Sequence, residues 1–109
     1  MPKYIIYFNQ RWVGEHSEKW FNARGPLARK VVEDMKEQGV LVFAGGLVEE
    51  IELAIGMNET GRMTEPISSN EFIGGLTIVD VNTEEDAKMW GSKIAIACGW
   101  PQEIRKFKD

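Results

Sequence analysis

One side chain in this sequence changes its charge near neutral pH without help from its surroundings: His16, the only histidine. It stands between Glu15 and Glu18 in the polar stretch Gln10–Lys19, which Trp12 and Trp20 bracket. Two readings follow from its type. It is a general acid or base facing a bound molecule, or a loop histidine in solvent, since no second group at catalytic spacing accompanies it. Asp80 is the next candidate. In Phe72–Val81, FIGGLTIVDV, strand alternation puts its carboxylate on the side of Leu76 and Ile78, where burial without a partner is costly and raises a carboxyl pKa. The other reading sets Asp80 at the strand's end, hydrogen-bonded to the turn that begins at Asn82. Trp12, Trp20 and Trp100, with Tyr7, Phe43 and Phe72, have the types that wall a ligand pocket. An ordinary core and subunit interface use the same residues. Gly45–Gly46 and Gly74–Gly75 open no helix in a phosphate-binding pattern, so they read as bulges or close-packing positions. One histidine, one cysteine and scattered acids offer no metal-ligand spacing, and no cofactor motif is present. Nor does spacing support a Ser-His-Asp or Cys-His arrangement.

Composition narrows the classes. The 109 residues make one domain, and a hydrophobic share of 43% supplies a packed core. A formal charge of −4 argues against nucleic acid, which requires a basic surface. The small cluster Arg105–Lys106 with Lys108 reads as a solvated end. Cys98 is the only cysteine, so no internal disulfide forms and a reducing compartment fits. MPKYIIYFNQ carries no signal-peptide pattern, and no stretch approaches the roughly 20 apolar residues of a membrane span. A cytoplasmic protein is expected.

The elements that must position these residues are legible in order. Lys3–Asn9 is dense in β-branched and aromatic residues and predicts a strand. Ser17 can cap a helix, with Gly25–Pro26 as a break and Pro26 at the first position of the main helical piece. Leu27, Val31 and Met35, with Ala28 and Val32, form its apolar stripe, and Gly39 ends it. Val40–Leu47 predicts a second strand. Ile51–Ile67 predicts a small hairpin turning at Asn58–Gly61. Phe72–Val81 is the central strand, apolar on both faces from Leu76 onward. Asn82 or Thr83 caps a second helix whose buried stripe is Ala87, Trp90, Ile94 and Ala97, ended by Gly99 and Pro101. Gln102–Phe107 is a last strand, polar enough for a sheet edge. The expected fold is α+β: a ferredoxin-like βαββαβ domain with an extra hairpin, both helices on one sheet face. The other face stays apolar, and large apolar patches mark partners or grooves. A homodimer closed through that face is expected, with a cleft for a small molecule between sheet and hairpin.

The opening KYIIYF, the run GVLVFAGGL, the segment TEPI and the run FIGGLTIVDVNTEEDA together resemble the YCII-related proteins, closest to the DGPF-type branch, over nearly the whole chain. The resemblance implies a dimeric α/β barrel of ferredoxin-like subunits, a cleft in each, and mostly unassigned activities. Some relatives are linked to transcriptional regulation, and a few look like lyases or isomerases of small organic acids. Relatives with a proposed catalytic pair carry a histidine near the start of the first helix. Here that region reads Arg24-Gly-Pro-Leu-Ala28, so the pair does not carry over. Thr64-Glu-Pro-Ile67 keeps the proline of the DGPF signature without its glycine and phenylalanine. In that segment Glu65 and the hydroxyls of Ser68 and Ser69 either orient a polar substrate group or satisfy loop backbone. His16 and Glu65 are thus the expected proton-handling groups, with Trp12, Trp20 and Phe72 as walls. The rival reading is a non-catalytic interaction or regulatory module.

Overall fold

The computed structural model describes residues 2–67 and 71–108. Its strands are β1 (Lys3–Asn9), β2 (Leu41–Gly46), β3 (Gly56–Met57), β4 (Met63–Thr64), β5 (Ile73–Asp80) and β6 (Glu103–Lys106). The helices are α1 (Glu18–Glu37) and α2 (Glu84–Cys98). Four strands form an antiparallel sheet in the order β2-β5-β1-β6, and β3 and β4 form a separate two-stranded hairpin. The sheet of the single chain is open, with β2 and β6 at its edges. Among the described residues, no helix is long and apolar enough to cross a membrane.

The two strands richest in β-branched and aromatic residues, β1 and β5, lie at the centre and pair over their whole length. Register assigns the faces. Tyr4 stands opposite Val79 and Ile6 opposite Thr77, and this face carries both helices. The core there joins Tyr4, Ile6, Val79 and Val81 to Met35 of α1 and to Ala87, Trp90 and Ile94 of α2. Each fully buried Leu- or Val-sized side chain contributes about 1.5–3 kcal/mol relative to exposure. On the other face Ile5 stands opposite Ile78, Tyr7 opposite Leu76, and Ile78 opposite Phe43 of β2. No helix covers these residues, and Phe43 is 57% exposed.

Local chemistry explains the helix boundaries. Ser17 accepts a hydrogen bond from the Trp20 amide and Thr83 one from the Asp86 amide, so each caps its helix. Glu84, Glu85 and Asp86 fill the first turn of α2, where the helix dipole favours anions. Gly99 ends α2 at φ 68°, and a β-carbon there would stand 2.6 Å from the Trp20 ring. The expected break at Gly25–Pro26 is absent: α1 runs unbroken from Glu18 to Glu37 with Pro26 inside. Pro26 lies on the exposed side, and its missing N–H removes one backbone bond, which the packing of Ala28, Val31, Val32 and Met35 on the core outweighs. Leu27, expected in the buried stripe, is 50% exposed, because the contact face runs through Ala28 and Val32 instead.

Between β2 and β5 the chain leaves the main body. The hairpin turns as expected: Asn58 Oδ1 accepts from the amides of Thr60 and Arg62, and Gly61 takes φ 81°. Yet β3 and β4 make no extensive contact with any other strand or helix. The radius of gyration is 15.3 Å, against roughly 13 Å for a compact chain of this length. The principal dimensions are 42 × 41 × 18 Å. Since packed layers lie roughly 10 Å apart, the shortest dimension holds one sheet and one helix layer. The hairpin therefore extends sideways and does not fold over the open sheet face.

Candidate functional site

The end of β1 gathers a group of polar and aromatic side chains. Asn9 finishes the strand, and its side chain accepts from the Arg11 amide, starting a 3-10 turn over Gln10–Val13. Gly14, at φ 77°, turns the chain back toward the cap of α1. His16 lies within this reversal. Its Nε2 is 3.1 Å from the Val13 carbonyl oxygen. A carbonyl only accepts, so Nε2 carries the proton and Nδ1 is the basic nitrogen of the neutral ring. The imidazole stacks on Trp20 at 3.6 Å between ring centroids and meets the edge of Phe21 at 6.1 Å. The Arg24 guanidinium stands 4.7 Å from the Trp20 ring centre.

His16 lines a hollow of about 590 Å³ with Gln10, Val13, Glu18, Phe21, Glu49 and Trp100. Trp100 is fixed from behind: its indole Nε1 donates to the Asn9 carbonyl at 2.9 Å, and its ring lies 4.6 Å from that of Phe8. Glu18 comes from the first turn of α1 and Glu49 from the root of the hairpin segment. The hollow thus offers one imidazole, two carboxylates, a carboxamide and two aromatic walls.

The other expected residues lie elsewhere. Asp80 is the last residue of β5, opposite Lys3, and its Oδ2 is 3.6 Å from the lysine Nζ. Its Oδ1 is buried without a hydrogen-bond partner, beside a hollow of about 280 Å³ that Gln38, Asn82, Asp86 and Trp90 also line. Asp80 faces Lys3 at the start of β1, whereas His16 follows that strand's end, and the hollows that the two line share no residue. Trp12 and Phe72 do come together, in a hollow of about 270 Å³ with Tyr7, Asn9, Glu71 and Glu103. Trp20 supports the His16 ring instead, and Phe43 stands on the open sheet face beside β5. Glu65 directly follows β4, exposed on the hairpin, and lines none of these hollows. Ser68 and Ser69 lie outside the described residues. Among the described residues no group of His, Cys, Asp and Glu is placed to hold a metal ion.

Glu18, Phe21 and Gln10 flank His16 closely enough in the chain that local turn chemistry could have found them. Glu49 enters only through the path taken after β2, which no local pattern encodes. No protein-family model matches this chain, and no curated protein matches it.

Proposed function

We propose that this chain works as a homodimer closed through the open sheet face, and that each subunit binds a small organic molecule in the hollow beside His16. Strand order β2-β5-β1-β6, with both helices on one face, supports a ferredoxin-like subunit. Pairing two such faces would give the dimeric α/β barrel that the resemblance to YCII-related, DGPF-type proteins implies. The observation that carries the ligand reading is the hollow itself. About 590 Å³ falls within the roughly 300–1,000 Å³ of small-molecule sites, and its walls mix aromatic rings with a few polar groups. Within it Nδ1 of His16 is the one nitrogen able to take a proton from a bound molecule and return it. Proton transfer on a small organic molecule, of lyase or isomerase type, is the reaction that this group supports.

The test is a nuclear magnetic resonance screen of small carboxylic acids and amines that follows the four tryptophan indole signals. Binders are expected to move the Trp100 signal, and His16→Asn is expected to weaken them about tenfold, the loss of one strong polar contact. Binders that move only Trp12, or that ignore His16→Asn, would overturn the assignment. A second reading, a non-catalytic assembly module, is favoured by the surface itself. The chain exposes 7687 Å², against roughly 6,100 Å² for a compact 12.4 kDa monomer. A hit-free screen on a stable dimer would decide for it.

A further inference from the structure

The excess surface has a location. The segment from Leu47 to Ile67, between β2 and β5, carries Val48, Leu53, Ile55, Met57, Met63 and Ile67 to solvent, Met63 at 72% exposure and Ile67 at 75%. Apolar side chains at that density on a projecting segment are unusual for a monomer. The segment is also strongly acidic, with Glu49, Glu50, Glu52, Glu59 and Glu65 against Arg62 alone. The opposite combination exists at the other side of the sheet. Beside the edge strand β6, a hollow of about 330 Å³ on the open face is walled by Ile5, Tyr7, Ile73 and Phe107 and rimmed by Arg105, Lys106 and Lys108. Glu103 of β6 accepts a hydrogen bond from the Tyr7 hydroxyl at 2.7 Å.

We infer that the hairpin segment of one subunit docks in the basic, apolar hollow beside β6 of a second copy of the same chain. This rests on the homodimer reading above. Sheet order supplies the geometry: β2 and β6 are opposite edges, so a two-fold axis running along the strands sets the β2 edge of each subunit over the partner's β6 edge. The segment leaves the sheet directly after β2, an edge strand, so its root lies at the edge that this axis sets over the partner's β6. Within its own chain, β3 and β4 make no extensive contact with β6. Area agrees as well. The surface beyond that of a compact monomer is about 1,500 Å² per chain, and a stable interface needs about 800 Å² from each partner. Complementary charge sets the register, and the apolar side chains supply the burial.

The experiment uses the intact protein. Unlabelled and ¹⁵N-labelled chains are refolded together and treated with a carbodiimide, which joins a glutamate carboxylate to a lysine amine as an amide with loss of water. The products are read by mass spectrometry beside the native mass. Dimers containing mixed-isotope links from the Glu49–Glu65 segment to Lys106 or Lys108 are expected. Dimers in which such links are absent, or join only chains of the same isotope, overturn the docking and leave the dimer standing. A monomer overturns both. Independently, Lys106→Glu with Lys108→Glu should weaken the dimer at least about tenfold at low salt, and Glu50→Lys with Glu52→Lys should restore it. Failure of that restoration, in variants with unchanged circular dichroism, counts against the docking.

Discussion

The thiol of Cys98 packs at the end of α2 against the helix-covered face, and burial pushes its pKa above the ordinary thiol value. The thiolate is the reactive form, so a disulfide reagent at pH 8 should label the folded protein at least about tenfold more slowly than the unfolded chain. Equal rates would show that the end of α2 opens freely. Tyr7 reports on the other face. Its hydroxyl donates to the Glu103 carboxylate, and that bond, followed by burial, raises the phenol above its ordinary 10.0. A raised pKa means that the folded state holds the proton more tightly. The stabilisation is therefore complete below pH 10 and is lost as pH rises through the higher folded value. Ultraviolet titration should place Tyr7 above 10, and Glu103→Gln should bring it back toward 10. At this scale the site was half legible. His16 announced itself by type, whereas Glu18, beside it in the chain, was read only as a solvated neighbour. The stacking on Trp20 is local, but the arrival of Glu49 and Trp100 depends on where distant segments turn, which residue chemistry does not encode.

Helices and strands follow from shorter-range causes, and most were readable. Thr83→Ala removes the side-chain acceptor for the Asp86 amide and should cost about 1 kcal/mol in denaturant unfolding. Gly99→Ala should cost about 1–3 kcal/mol, because φ 68° strains any β-carbon and the added carbon meets Trp20. Loss of under half a kcal/mol in either variant would contradict the described cap. The stripe Ala87, Trp90, Ile94 and Ala97 is buried throughout, since α2 lies flat on the sheet. Pro26 misled because a proline ends a helix only where nothing else holds the next turn, and here the core packing of α1 begins at Ala28, immediately beyond it. The hairpin turn was legible from Asn58 and Gly61. Its projection was not, because nothing local states what a strand pair leans on.

On the scale of the whole molecule the chain is a thin plate, helices on one side and a partly apolar sheet on the other, with the hairpin set beyond its rim. Small-angle scattering of a monomer should return a radius of gyration near 15.3 Å, and that of a dimer a larger value with twice the mass. The two-faced apolar pattern of β5 made the uncovered face readable from residues alone. What would cover that face in the proposed homodimer is a property of two chains, and one chain's structure leaves it open. The edge strand β2 adds a consequence for the life of the protein. Its sequence, LVFAGG, contains no charged residue or proline to deter strand addition, and Val42 and Phe43 are exposed along it. A chain with nothing paired to that edge presents an unguarded template for cross-β growth. Dilution or thermal dissociation should then end in fibrillar aggregate instead of soluble monomer, and a single lysine in place of Val42 should slow that loss.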